Sequence, residues 1–107
     1  MPPSSSTAHT LPEQKQRILF PYTTRLLDSR DHPKTICPSE VARALSSSDL
    51  STLDYVTWRD AMDDVRALVW EMRARGEVEV LQKGEVLEEE TELEQVKGPI
   101  RVRTKID

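Results

Sequence analysis

The amino-acid sequence predicts an α+β fold in which three helices are followed by a small antiparallel β wing. Two observations support this prediction. Residues 58–75 carry apolar side chains at helical spacing and run into Gly76, as is typical of a helix closed by a left-handed residue. Residues 77–82 and 98–104 then alternate apolar and charged side chains, the pattern of half-buried strands. With shorter helices upstream, this order is winged-helix-like.

Composition and charge restrict both the architecture and the function. A chain of 107 residues with 36% hydrophobic content can fill one modest core, which we place in residues 13–104. The net charge of −4 disfavours a broadly basic surface, because affinity for DNA depends on Lys and Arg side chains that neutralise phosphates. The acidic charge is concentrated after the last helix.

The sequence also predicts where the protein resides. Residues 1–12 are rich in Pro, Ser and Thr and predict a disordered tail, and no stretch is apolar and long enough to span a membrane. The single cysteine, Cys37, has no partner for a disulfide or a zinc site. We expect an intracellular protein, cytoplasmic or nuclear, with no metal, no cofactor and no membrane partner. The sequence leaves the oligomeric state open.

The first helix is predicted over residues 13–29. Pro21 falls inside the pattern, so either a kink or two short helices are expected, and we favour a kinked amphipathic helix. The apolar residues that recur at three- and four-residue steps are Ile18, Leu19, Tyr22, Leu26 and Leu27.

A short strand at residues 35–37 and a second helix are expected next. Pro38 suits the first helical position, and Glu40 can reach back to the backbone N–H of Cys37 as in a capping box. Cys37 is therefore interpreted as the N-cap. The alternative is a reactive thiolate stabilised by the helix N-terminus, but no second cysteine or close histidine supports it. The inward face of this helix is Val41, Ala42 and Leu45.

Residues 46–56 form a polar linker that is unusually long for a DNA-binding helix-turn-helix, which joins its helices in three or four residues. Its apolar residues Leu50, Leu53 and Tyr55 indicate that it packs partly on the core, as a single helical turn. The linker is a departure from the DNA-binding pattern.

The third helix is expected to begin at Trp58, because Thr57 and Asp60 form a second capping box. Trp70 lies partly off its apolar stripe, where it either covers the wing or forms an exposed contact. The stripe, in which each fully buried side chain contributes about 1.5 to 3 kcal/mol, is Trp58, Met62, Val65, Leu68, Val69 and Met72.

Lys83 and Gly84 are predicted to form the turn after the first strand of the wing. That strand is expected to pair with residues 98–104. Residues 85–97, called the acidic wing loop below, contain the run EVLEEETELEQV and are interpreted as solvated. In the pairing we expect, Glu77 and Glu79 face Arg101 and Arg103 across the ladder.

Four separated motifs carry a resemblance to a known family: ICPSEVARAL, the WR that opens the third helix, RARGEVEVLQKG and GPIRVR. With these motifs in this order, residues 17–103 resemble a family of small proteins of bacteria and fungi known only as a domain of unknown function. The resemblance implies a winged-helix-like fold and carries no activity, ligand or catalytic residue. The polar linker and the acidic wing loop are unusual features of this chain.

Two functions remain open from the sequence. The first is a DNA-binding or transcription-associated module that places the third helix in the major groove. Arg59, Arg66 and Arg73 lie on one helical face at seven-residue spacing, and Lys83 lies in the turn of the wing. Asp63 can form ion pairs with the first two arginines, which would offset part of the positive field.

The second function is a protein-interaction or regulatory module whose partner is a basic protein. Its candidate contact residues are Trp70 and the exposed acids Glu88, Glu89 and Glu90. No enzymatic activity is expected, because the sequence shows no carboxylate pair, nucleophile with its base, phosphate loop or metal cluster. His32 is interpreted as a turn residue, since a general base needs a bonded partner in a cleft.

Overall fold

A computed structural model describes residues 11–106 of the chain. The predicted α+β class is confirmed, with four helices rather than three before the sheet, and the layout is compatible with a winged-helix-like domain. Residues 1–10, most of the predicted tail, lie outside the described residues. The elements are α1 (Glu13–Asp28), α2 (Pro38–Ala44), α3 (Ser47–Thr52), a 3₁₀ turn (Trp58–Ala61), α4 (Met62–Ala74), β1 (Val78–Gln82), β2 (Glu85–Val86), a second 3₁₀ turn (Leu93–Gln95) and β3 (Arg101–Thr104).

Helix α1 runs through Pro21 as one element, so the alternative of two short helices is wrong. Pro21 lies on the exposed side, where the carbonyl group left without a helical donor can bind water. Leu11, which precedes the helix, packs against the core. Leu11 is only 5% exposed, and its backbone N–H donates to the carboxylate of Glu71 on α4 at 2.7 Å.

Helix α2 begins as the local sequence predicts. The backbone N–H of Cys37 donates to the carboxylate of Glu40 at 2.8 Å, which completes the capping box on the acidic side. The predicted strand before this helix is reduced to one bridge, because only Ile36 pairs with Val102 through hydrogen bonds of 2.7 and 2.8 Å.

The polar linker contains a true helix, α3, rather than a single turn. Its N-cap is Ser46, whose hydroxyl accepts from the N–H of Asp49 at 3.1 Å. The hydroxyl of Tyr22 on α1 donates to the carboxylate of Asp49 and also accepts the N–H of Ser46 at 3.3 Å. The linker is therefore bonded to α1 and packs as part of the domain.

Helix α4 is the centre of the core, and the 3₁₀ turn before it is capped as predicted. The carboxylate of Asp60 accepts the N–H groups of Val56 and Thr57 at 2.8 and 3.1 Å. The prediction that Trp58 and Met62 are fully buried is wrong, since both are half-buried at the edge of the core. Arginines cover the Trp58 ring. Side chains with no more than 1% exposure include Leu19, Ile36, Val41, Val65, Leu68, Val69, Val80, Ile100 and Val102.

The sheet is antiparallel, with strand order β2-β1-β3. Glu79 lies opposite Arg103, and the two form the predicted ion pair at 2.9 Å. The second predicted pair is wrong, because Glu77 precedes β1 and bonds Arg75 at 3.0 Å, whereas Arg101 lies opposite Leu81. In this register, Glu77 and Arg101 are too far apart along the ladder to form an ion pair.

The hairpin between β1 and β2 has the predicted two-residue turn. Lys83 and Gly84 both adopt positive φ, at 54° and 83°, as the twist of a two-residue hairpin requires. Lys83 is exposed at this turn.

Candidate functional site

The acidic wing loop folds back onto the outer face of helix α4. The indole Nε1–H of Trp70 donates to the backbone carbonyl of Thr91 at 3.2 Å. The guanidinium group of Arg73 donates to the same carbonyl at 3.1 Å and also to the carbonyl of Glu88. Two side chains of α4 thus donate hydrogen bonds to backbone carbonyls of the acidic wing loop.

Apolar contacts hold the same loop. Leu87, Leu93 and Val96 are half-buried against the core, and the amide of Gln82 on β1 donates to the carbonyl of Lys97 at 2.7 Å. The expectation of a solvated loop is therefore correct only for its carboxylates. The side chains of Glu88, Glu89 and Glu90 are exposed, whereas the backbone that carries them is packed.

Trp70 covers the wing, and the alternative of an exposed contact is wrong. The side chain is buried, with 8% of the residue exposed, and it lies between α4 and the acidic wing loop. The Arg73 guanidinium carbon lies 5.2 Å from the centre of the indole ring. Trp70 therefore supports the loop, and the part of the residue that stays exposed lines the cavity described below.

Two of the three arginines in the row Arg59, Arg66 and Arg73 form hydrogen bonds within the domain. Arg66 donates to the backbone carbonyl of Gly98 over a long distance of 3.5 Å, and Arg73 is bonded to the acidic wing loop. The expected ion pairs of Asp63 with Arg59 and Arg66 do not form among residues 11–106. Of the four residues predicted as candidates for binding nucleic acid, two are exposed: Arg59, at the N-terminal end of the row, and Lys83 at the turn.

A cavity of about 580 Å³ lies between the acidic wing loop, the C-terminal half of α4 and strand β1. Its apolar wall includes Trp70 and Leu87, and it opens to solvent. The charged residues of its lining are the carboxylates Glu79, Glu89 and Glu92 and the cations Arg73 and Lys105. An extended apolar wall beside carboxylates can accept a side chain that has an aliphatic stem and a cationic end.

A second charged feature lies at the other end of the helix. The guanidinium carbons of Arg43 and Arg59 lie 4.6 and 4.7 Å from the centre of the Trp58 ring. No sequence pattern distinguishes Arg43 as a functional residue. Arg43 lies on the side of α2 that faces away from the core, so the sequence predicts that it is exposed. Its proximity to Trp58 cannot be predicted in this way, because it depends on how α2 packs on the 3₁₀ turn.

A partly buried polar network joins α1 to α4. Asp64 accepts the hydroxyl of Tyr55 at 2.5 Å and the ammonium group of Lys15 at 2.7 Å. Burial, together with the hydrogen bond and charge of Asp64, raises the pKa of Tyr55 well above its ordinary value, so the phenol stays neutral. The neutral phenol of Tyr55 bonds the segment between α3 and the 3₁₀ turn to Asp64 on α4, so the network has a structural role.

Residues 11–106 contain no group of three or more His, Cys, Asp or Glu side chains placed to hold a metal ion. His32 is exposed in the turn before α2. Within the same range, every helix is too short or too polar to cross a membrane.

The fold and these surfaces define a small α+β domain whose layout is compatible with a winged-helix-like fold. The chain belongs to the family described as protein of unknown function DUF3253, whose model matches residues 18–105. This match confirms the predicted membership in a small family of unknown function. No curated protein matches the chain.

Proposed function

We propose that this domain is a protein-binding module, without catalytic activity, that recognises a basic partner through the acidic wing loop. The supporting observation is that Trp70 and Arg73 bond the loop backbone to α4. Six glutamates occupy residues 85–96 with no Lys or Arg among them. Their charge is therefore presented from a fixed backbone.

A fixed loop favours binding for a physical reason. Ordering a mobile loop on association costs conformational entropy, and a loop that is already bonded to its scaffold avoids much of this cost. Its negative field also increases the rate of encounter with a basic surface and disfavours acidic partners.

The cavity beside the loop provides a place for one basic side chain of the partner. The methylene stem of a Lys or Arg can pack on Trp70 and Leu87 while its cationic end meets Glu89 at the rim. Glu79 is a weaker candidate for this contact because Arg103 already pairs with it at 2.9 Å.

The nucleic-acid alternative is less favoured by the same contacts. Insertion of α4 into a DNA groove requires access to the face that carries Arg66 and Arg73. The acidic wing loop covers this face at Arg73, and Arg66 donates to the carbonyl of Gly98, just after the loop. The exposed glutamates would also repel phosphates. Arg59 and Lys83 remain accessible for such a role.

The test is a calorimetric titration of the protein with a short Lys-rich peptide, at about 50 mM and about 300 mM salt. The triple variant Glu88→Gln/Glu89→Gln/Glu90→Gln should bind roughly tenfold more weakly and lose most of the salt dependence. The matched control is Glu13→Gln/Asp28→Asn/Asp31→Asn, which removes three exposed charges elsewhere and should bind like the parent.

Equal affinities of the two triple variants, or no peptide binding at low salt, would overturn the proposal. Mixed duplex DNA serves as the second ligand. If DNA binds at about 50 mM salt and Arg59→Ala/Arg66→Ala abolishes this binding, the nucleic-acid alternative replaces the protein-binding one.

A further inference from the structure

Arg43, Trp58 and Arg59 form a cationic cluster where the end of α2 meets the 3₁₀ turn before α4. Both arginines are exposed, and Trp58 is half-buried between them and the core. Their guanidinium carbons lie 4.6 and 4.7 Å from the same ring centre, so one small region holds two positive charges. The cluster belongs to neither the acidic wing loop nor its cavity.

Neither guanidinium group of the cluster forms an ion pair among residues 11–106. The acid one turn before Arg43 is Glu40, and its carboxylate bonds Arg30 at 2.5 Å and the N–H of Cys37 at 2.8 Å. The carboxylate beside Arg59 is that of Asp60, which accepts two backbone N–H groups of its own turn. The nearest acids in sequence are thus engaged elsewhere.

Stacking on the indole prepares the two arginines for a ligand. A guanidinium over an aromatic face is attracted by the ring quadrupole, and the N–H groups at its edge can still donate to a ligand. Because the ring already restricts the two arginine side chains, binding of a ligand costs less of their conformational entropy. The two guanidinium groups share one ring, so their positive fields add at its edge, and an anion bound there is attracted by both.

The charge of the cluster decides which anion fits. A phosphomonoester carries a charge of about −1.5 to −2 near pH 7, which matches two guanidinium groups. A carboxylate carries one charge, and a nucleic-acid backbone depends on many phosphates being neutralised together. Asp60 and Asp63 lie close by in sequence, and the net charge of −4 opposes a long polyanion.

We infer that Arg43 and Arg59 bind a phosphomonoester dianion, with Trp58 as a positioning residue that holds both guanidinium groups. The phosphate can be carried by a side chain of another protein or by a small molecule. The acidic wing loop takes no part in this site, so the phosphate titration and the Lys-rich peptide titration test independent proposals.

The experiment follows the indole N–H resonance of Trp58 in the full chain during titration with three probes. These are phenyl phosphate, a short neutral peptide with one phosphoserine, and the same peptide without phosphate. We expect saturable shifts with the two phosphate probes only. Arg43→Ala and Arg59→Ala should each weaken binding roughly tenfold, because each removes a charge-assisted, bidentate contact.

Arg17→Ala is the matched control, since Arg17 is an exposed arginine on α1 whose loss changes the net charge equally. It should leave both phosphate titrations unchanged. Arg43→Lys and Arg59→Lys keep the charge and lose the planar fork, and they should also weaken binding. They serve as the test variants if an alanine variant has a lowered melting temperature.

The probes distinguish the source of the phosphate. Tighter binding of the phosphopeptide than of phenyl phosphate supports a phosphorylated protein, and equal binding supports a small-molecule ligand. The inference is overturned if the Trp58 resonance does not shift up to about 10 mM phosphate probe. It is also overturned if acetate or duplex DNA shifts Trp58 equally, or if Arg17→Ala weakens binding as much as Arg43→Ala.

Discussion

The guanidinium group of Arg73 donates a hydrogen bond of 3.1 Å to the backbone carbonyl of Thr91, a residue 18 positions further along the chain. Trp70 donates to the same oxygen at 3.2 Å. Together these contacts make the acidic wing loop part of the domain. They also occupy the helix face that a DNA-binding mode would need.

Arg73→Ala should release the acidic wing loop without unfolding the domain. Hydrogen bonds from a charged donor contribute about 1.5 to 3 kcal/mol, and their loss should accelerate amide exchange across residues 88–96. Exchange measured by mass spectrometry tests this. Arg75→Ala is the control, because exposed Arg75 pairs only with Glu77 in the neighbouring turn. Identical loop exchange in the two variants would show that Arg73 does not hold the loop.

Leu68→Ala should destabilise the domain more than Trp58→Ala does. Leu68 is fully buried at 0% exposure, and truncation of such a leucine costs about 2 to 5 kcal/mol. Trp58 is half-buried, so its truncation removes less buried surface and leaves a gap that solvent can fill. Denaturant unfolding of both variants gives the comparison, and the reverse order would place Trp58 in the core.

Glu40 should make the stability of the domain depend on pH in the acid range. Burial alone raises the pKa of Glu40, but hydrogen bonds from the Cys37 N–H and Arg30, with the charges of Arg30 and Arg101, lower it below 4.5. A lowered pKa in the folded state adds stability above the unfolded pKa, and this is lost as pH falls through the folded value.

The free energy of unfolding, measured in denaturant from about pH 6 to about pH 3, should therefore fall more steeply in the parent than in Glu40→Gln. The two curves should converge at the acid end. Glu77→Gln is the control, since its exposed ion pair with Arg75 contributes little. Parallel curves for the parent and Glu40→Gln would contradict the assignment.

Lys83→Asn should stabilise the wing. Lys83 has a φ of 54°, a left-handed conformation that Asn adopts more readily than other residues with side chains, apart from Asp. The expected gain in the free energy of unfolding is smaller than the cost of about 1 to 2 kcal/mol that the left-handed conformation imposes on an ordinary L-residue. Lys97→Asn removes the same charge from an exposed position and should have no such effect. A loss of stability in Lys83→Asn would show that the lysine side chain contributes a contact.

Much of the fold could be predicted because its determinants are local. The capping boxes at Cys37 and Thr57 each join residues three positions apart, and the alternation around Val78 and Val80 requires only a strand period of two. Helix α3 was less predictable, because its six residues depend on bonds from Tyr22 on α1.

The candidate sites were less predictable from the sequence. Spacing predicts that Arg59, Arg66 and Arg73 lie along one side of the helical segment, but spacing cannot say what covers that side. The carbonyls that bond Arg73 come from the wing, and Arg43 reaches Trp58 only because α2 packs beside the 3₁₀ turn. These are contacts between distant segments.

The sequence by itself determined the α+β class, the two capping boxes, the hairpin turn and the acidic character of the wing, since each follows from neighbouring residues or a short period. Only the tertiary structure decided which charges are available to a partner. Packing of the acidic wing loop on α4 bonds Arg73 internally and buries Trp70, whereas the end of α2 leaves Arg43 and Arg59 exposed around Trp58. Such a division is expected, because backbone preferences act locally and burial is a property of the whole chain.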